Sequence, residues 1–337
     1  MMAMAGTSSR TAGARALAAE PTPAAEFRCV LEEQPTFLVP QRLLRQNGSQ
    51  RQTRLLLNPR VWFSWSGAAP AGISHWLETF EASPARCDTA WITDGATGAL
   101  LPFWLGPETR ALLERTAPGG PAPAAIEPRL AQVLRCARIL ISPEEEEKRK
   151  AAWDAAVGPA RLQYQRGYAP VAGLIHPYHV GELRRYFRRR IRAGAFRLGD
   201  GQSELRHVAH NEPVARFFHH QLAGAMSAIA GEPVKPSYVY FASYQGGAEL
   251  ERHTDRPQCE FSITYCLDFT PEPEGATEWP ILLDTPESTV KVYQAIGDAL
   301  LYRGCQVPHY RKRLRDGATS SSIFFHFVRE SFTGKLN

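Results

Sequence analysis

The chain is expected to fold as an α+β protein, with a C-terminal jelly-roll supported by helices and a small mixed α/β domain before it. Three observations predict this. Between 238 and 328, short β-rich runs alternate with Pro, Gly, Asp and Glu separators, and no helical period of useful length interrupts them. Two amphipathic stretches, 177–193 and 212–230, read as helices ahead of those runs. Residues 27–141 mix short helical and strand signals. The expected division is a disordered tail at 1–26, an accessory domain at 27–141, a charged helical linker at 142–166 and the larger domain at 167–337.

The first 25 residues are rich in Ala, Ser and Thr, with no acidic residue before Glu20 and no sustained apolar core, so they do not read as a secretory signal. Residues 27–43 alternate and then turn at Pro40. Residues 53–65 read as one or two strands broken at Asn58-Pro59. Short helices are expected over 75–81 and 107–116. A stronger one is expected over 126–141, where Leu130, Val133, Leu134 and Ala137 recur at helical spacing. Residues 118–128 form a Pro/Gly/Ala connector into it. This rhythm is similar to a small winged-helix module, without any specific motif. Trp62, Trp65, Trp76, Trp91 and Trp104 read as core packing.

Ser142 suits a helix N-cap, Pro143 suits the first turn, and acidic residues then precede basic ones, in line with the helix dipole. In 177–193, Val180, Leu183, Tyr186, Phe187 and Ile191 make the apolar side. Arg184, Arg185, Arg188, Arg189, Arg190 and Arg192 on the same helix read as a solvated or packing face. His207, His210, His219 and His220 read as a helical group that faces different ways, so no metal site is expected there. Strands are expected over 238–244, ending in the Gly246-Gly247 turn, and over 260–268, 279–284, 289–295, 298–302 and 320–328.

Length and composition exclude several classes. A chain of 337 residues can bury a substantial core, and its apolar stretches fall short of a membrane span. A net charge of +5 is too mild to imply nucleic acid. Six scattered cysteines, without CxxC or zinc spacing, read as free thiols in a reducing cytosol.

The chemistry concentrates at His253-Thr254-Asp255 and His309. An HxD alone is a weak signal. In a strand, alternation would put His253 and Asp255 on one face. A third ligand from a neighbouring strand would complete two imidazoles and a carboxylate. That set leaves half of an octahedron open, as non-haem Fe(II) oxygenases require. His326, in the apolar run 323–328, reads instead as a core histidine with a satisfied hydrogen bond, and Cys259, Cys266 and Cys305 read as packing.

The flanks carry a resemblance. Tyr244-x-x-Gly247, His253-x-Asp255, Gly297-Asp298-Ala299-Leu300-Leu301-Tyr302 and His309 together resemble the 2-oxoglutarate- and Fe(II)-dependent dioxygenases, on their prolyl-4-hydroxylase-like side. The resemblance spans about 168–330. It implies a double-stranded β-helix with His253, Asp255 and His309 as iron ligands. It implies Fe(II), 2-oxoglutarate and O2, with ascorbate as an accessory reductant, and hydroxylation of an unidentified small molecule or peptide. In such enzymes a Tyr at the spacing of Tyr244 touches 2-oxoglutarate. An acidic residue at position 255 points away from the family's halogenases.

One position departs from the pattern. Where these enzymes usually place a Lys or Arg after the distal His stands Thr319, followed by Ser320, Ser321 and Ser322. Hydroxyls can hydrogen-bond a carboxylate but cannot neutralise it. The substitutes are Arg303, Arg311, Arg313 and Arg256. Arg311, two residues past His309, and Arg303, on the strand entering it, are favoured, because alternation lets one of them point inward. The residues do not choose between them. Two other readings stay open. One is a metal-binding barrel that senses rather than turns over 2-oxoglutarate. The other is a peptide- or nucleic-acid-modifying oxygenase that recognises its target through 27–150. Tyr238, Tyr240, Trp279 and the loop 272–278 are expected to shape the substrate pocket.

Overall fold

The computed structural model describes residues 26–32, 38–44, 54–80 and 88–337. The expected tail, the middle of 27–43 and Cys87 lie outside the described residues, apart from Glu26. The N-terminal segment contributes α1 (Gln41–Leu44), β1 (Leu56–Leu57), β2 (Val61–Phe63), α2 (Ala71–Phe80), β3 (Asp88–Thr93), β4 (Leu100–Leu105), α3 (Pro107–Leu113), α4 (Pro128–Cys136) and β5 (Leu140–Ile141). Strands β2, β3 and β4 form an antiparallel sheet, and β1 pairs with β5. Strands β3 and β4 escaped the sequence reading; their inner runs, Thr89–Ile92 and Leu101–Leu105, are buried without alternation. The helix expected over 126–141 ends at Cys136. Arg138 then takes a positive φ of 61° and the chain leaves as β5.

Aromatic residues fasten this segment to the C-terminal part of the chain. Phe80 meets Trp91, Trp104 and Phe217, with ring centroids 5.0–6.0 Å apart, and Trp76 meets Phe217 edge-on at 5.2 Å. Phe27 packs on Trp104, Tyr186 and Phe218. Edge-to-face geometry of this kind adds to the burial of large rings. Trp76, Trp91 and Trp104 are therefore core residues, while Trp62 and Trp65 stay half-buried.

The chain continues through α5 (Pro143–Tyr164), β6 (Tyr168–Ala172), α6 (Pro177–Arg192), β7 (Arg197–Leu198), β8 (Arg206–His210) and α7 (Pro213–Ala230). Pro143 and three glutamates open α5 as expected, but the Ser142 hydroxyl donates to Glu144 at 2.6 Å rather than accepting from the helix backbone. Tyr164 is its one buried residue, so α5 is a solvated helix. The arginines of α6 are tied down. Arg184 is 1% exposed and donates to Asp268 and Glu272, Arg188 donates to Asp268, and Arg185 pairs with Glu182. A buried guanidinium survives only with such partners. His207 and His210 do not lie on a helix: they stand on β8, which pairs with the strand after α7.

The remaining strands are β9 (Val234–Gln245), β10 (Leu250–His253), β11 (Phe261–Thr270), β12 (Ile281–Asp284), β13 (Thr289–Val292), β14 (Asp298–Tyr302), β15 (His309–Arg311) and β16 (Thr319–Arg329). With β6, β7 and β8 they form two antiparallel sheets, ordered β6-β14-β11-β16-β9-β8-β7 and β10-β15-β12-β13. Helices α6 and α7 cover the outer face of the seven-stranded sheet, where Phe187 stacks on Phe241 at 4.1 Å and His219 meets Phe327 at 4.6 Å. Ile281, Leu283, Val292, Leu300, Tyr302 and Val307 form a smaller core between the four-stranded sheet and β14. The space left between the two sheets is where the candidate site lies.

Candidate active site

Strands β10 and β15 are hydrogen-bonded neighbours. Their register pairs Leu250 with Arg311 and His253 with His309. Three steps on β10 thus match two on β15, which is a β-bulge. Continued regular pairing would have set Arg252 opposite His309; the extra residue puts His253 there. The imidazoles lie 4.4 Å apart between ring centroids.

Asp255 joins them for a different reason than strand alternation. Strand β10 ends at His253, so Asp255 lies beyond it. Its N–H donates to Gly304 O at 2.9 Å, and this fixes the chain as it leaves the strand. Asp255 Oδ1 stands 3.8 Å from His253 Nε2 and 3.6 Å from His309 Nε2. One ligand atom from each of the three residues falls within 4.8 Å of the others.

The groups behind these atoms fix their roles. His253 Nδ1 faces Glu251 O at 2.7 Å, and His309 Nδ1 faces Val307 O at 3.0 Å. A carbonyl accepts only, so each Nδ1 carries the proton and each Nε2 presents a lone pair inward. Burial pulls the His309 pKa down and keeps that imidazole neutral. The second oxygen of Asp255, Oδ2, accepts from Ser262 Oγ at 3.0 Å. Ser262 Oγ also lies 3.0 Å from His326 Nδ1, so His326 is buried with a partner, as expected, and stands directly behind the site. A Cβ on Gly304 would meet Asp255 Oδ2 at 2.4 Å and Ser262 Oγ at 2.6 Å, so only glycine leaves room for the carboxylate. Ser262 and Gly304 escaped the sequence reading because their roles need contacts across strands.

These residues open into a cavity of about 260 Å³ between the sheets. Tyr238, Tyr240 and Tyr244 of β9 line it with Phe324 and His326 of β16, and Tyr302, Leu250 and Ile281 complete its wall. Arg311 also lines it. As residue i+2 of His309 on β15 it faces the same way. Arg311 is 5% exposed, donates to Trp279 O at 2.6 Å and lies over the Trp279 ring at 4.6 Å. It pairs with no carboxylate among the described residues. Burial lowers its pKa, the mark of a charge whose desolvation is not offset. Trp279, expected to shape the pocket, instead supports Arg311 from below and is absent from the lining.

The other expected positions separate. Arg303 stacks over Tyr164 at 5.3 Å and lines a different depression beyond Asp255. Arg313 is exposed and bonded to Asp316. Arg256 reaches Tyr238 Oη at 3.0 Å on the cavity wall. Thr319 pairs with Gln245 and Thr270 at the start of β16, away from the cavity. Several lining residues were missed, Tyr302 and Arg206 among them. Tyr302 places its buried phenol 3.5 Å from His309 Nε2, and Arg206 donates to Tyr244 Oη at 2.6 Å. Two imidazole nitrogens and one carboxylate oxygen suit a divalent first-row metal with open positions, and Arg311, buried in the same cavity without a carboxylate partner among the described residues, suits an organic anion.

No family model matches the chain, and no curated protein matches it in sequence. Solved structures are similar over about half of it. The non-haem α-ketoglutarate-dependent epimerase SnoN of nogalamycin biosynthesis is 15% identical with a TM-score of 0.44, covering 52% of this chain and 84% of SnoN. A Pseudomonas putida prolyl-4-hydroxylase is 18% identical with a TM-score of 0.41, covering 52% and 99%. A 2OG-Fe(II) oxygenase-family oxidoreductase from Burkholderia pseudomallei is 11% identical with a TM-score of 0.40, covering 52% and 90%. These neighbours are 2-oxoglutarate/Fe(II) oxygenases, and SnoN has also been solved with Fe3+ and α-ketoglutarate.

Proposed function

We propose that this chain is an Fe(II)- and 2-oxoglutarate-dependent dioxygenase, built on a double-stranded β-helix, that hydroxylates an organic substrate. One observation carries the reading. A His253/Asp255/His309 donor set and a buried arginine without an acidic partner share one cavity. The overall reaction consumes 2-oxoglutarate, O2 and a C–H bond, and yields succinate, CO2 and an alcohol. Iron held by the triad supplies the oxidative chemistry.

The side chains supply the rest. The carbonyls of Glu251 and Val307 keep both imidazoles in the tautomer that binds through Nε2. Ser262 holds Asp255 Oδ2 aside and leaves Oδ1 to face the imidazoles. Arg311 lies about 7 Å along β15 from His309, at two strand steps. That separation suits a five-carbon dicarboxylate with its oxo-acid end at the triad and its far carboxylate on the guanidinium. Tyr244 is placed to donate to the same carboxylate. The tyrosines, Phe324 and Leu250 limit water around the reacting bond. Among the described residues of 27–150, none lines this cavity.

Anaerobic titration of the metal-free protein tests this. Fe(II) followed by 2-oxoglutarate should give the charge-transfer absorption of a chelated 2-oxo acid, and His253→Ala, Asp255→Ala or His309→Ala should abolish it. Tight Fe(II) binding with no spectral response to 2-oxoglutarate would overturn the reading.

A further inference from the structure

Resting on that reading, we propose that Arg206, held by Asp200, is a positioning residue that aims the Tyr244 hydroxyl at the co-substrate. Arg206 is 3% exposed on β8 and lies directly across the ladder from Tyr244. Its Nη1 donates to Tyr244 Oη at 2.6 Å. Its other nitrogens are engaged: Nε and Nη2 donate to the Asp200 carboxylate at 2.6–3.1 Å, and Nη2 reaches Gln202 Oε1 at 2.7 Å. Tyr240 also donates to Asp200 Oδ2, at 2.6 Å. Burial works against ionisation of Asp200, but the bonds from Arg206 and Tyr240 outweigh it and hold its pKa down at about 2. The pair is therefore charged and internally neutralised. Arg206 offers no spare charge to a ligand, so its effect has to pass through the bond it makes.

That bond fixes the direction of a proton. Tyr244 Oη accepts from Arg206, so its own hydrogen must point elsewhere. Among the described residues the phenol donates to no acceptor, although Tyr244 is fully buried. Arg311, which shares the Trp279 ring with it, has only donors to offer. An O–H without an acceptor and a guanidinium without an anion thus line the same cavity, and a carboxylate satisfies both. The guanidinium contact also polarises the phenol, which strengthens its donation. Without Arg206, nothing fixes the rotation of the Tyr244 hydroxyl, and its donation to the co-substrate is weakened.

The test is a double-mutant cycle on 2-oxoglutarate affinity, read from the charge-transfer band of the anaerobic Fe(II) protein and by calorimetry with Ni(II) in place of iron. Arg206→Gln should weaken 2-oxoglutarate binding about tenfold, the size of one charge-assisted hydrogen bond, while Fe(II) affinity stays at the wild-type value. In a Tyr244→Phe background the same substitution should have no further effect. Arg206→Lys keeps the charge but not the fork, and serves the same cycle if the glutamine variant does not fold. Equal losses in both backgrounds, or no loss in either, would overturn the proposal. Wild-type protein that binds Fe(II) but not 2-oxoglutarate would overturn the functional reading itself, a separate outcome.

Discussion

Ser262 Oγ donates to Asp255 Oδ2 at 3.0 Å, while Asp255 Oδ1 faces both imidazoles. One hydroxyl on β11 therefore divides the carboxylate between support and ligation. Outer contacts of this kind commonly change metal affinity about 10- to 100-fold when lost. Ser262→Ala should weaken Fe(II) binding by that factor, measured by competition with a chromophoric chelator, with the fold retained. Unchanged affinity would show that Asp255 is positioned by its backbone bond alone.

Gly304→Ala should do more damage than Ser262→Ala. The added methyl would overlap Asp255 Oδ2, Ser262 Oγ and Cys259 O, the last at 2.5 Å. None of these can retreat cheaply, because Cys259 O is backbone and the other two are bonded to each other. The expected outcome is loss of measurable Fe(II) binding, together with a lowered melting temperature. A variant that binds iron like wild type would mean that the loop carrying Gly304 yields freely.

Arg311→Ala should raise the 2-oxoglutarate concentration needed for turnover about 10- to 1000-fold, since it removes the cation proposed to meet the far carboxylate. Iron binding should survive, because Arg311 bonds to Trp279 O and Gln294 rather than to the triad. Arg303→Ala serves as the control, and a larger effect there would move the carboxylate site to the other depression.

Stability should fall as pH drops below about 6.5, through two buried histidines. Burial lowers the pKa of His179 to about 4 and that of His219 to about 3, and each Nε2–H donates to a carbonyl, Pro102 O and His326 O. The folded state keeps these rings neutral, whereas the unfolded chain protonates them near their ordinary value of about 6.5. The unfolded state thus binds more protons below pH 6.5. The stabilisation is complete above that value and is lost as pH falls toward the folded values, by up to about 1.4 kcal/mol per pH unit for each ring. Urea midpoints between pH 7.5 and 4.5 should show this slope, and His219→Gln should reduce it. An identical slope in the variant would assign the effect to other groups.

Much of this protein was legible before any coordinates. β-rich runs between Pro, Gly, Asp and Glu separators located β9, β11, β12, β14 and β16 to within a few residues, and the apolar stripes located α6 and α7. The three donors were legible because HxD with a distant His is a pattern of residue types. Strands β3 and β4, buried on both faces and without alternation, went unread. The cluster of histidines around 207–220 was misread as helical for a related reason: β8 is a short strand without a clean period of its own.

The sequence by itself determined which groups could act: two imidazoles, a carboxylate, a phenol and a set of arginines. Tertiary structure decided which of them meet. Strand spacing alone would have put Arg252 across from His309, and the bulge in β10 exchanges it for His253. Alternation from His309 admitted Arg311 to the cavity, while the chain's exit from β14 sent Arg303 to the far side of Asp255. Ser262, Gly304 and Arg206 acquire their roles only across neighbouring strands, at separations of 7, 49 and 38 residues from the groups they serve. Local propensity depends on residues a few positions apart, whereas register, bulges and cross-strand contacts are fixed by the packing of the whole sheet.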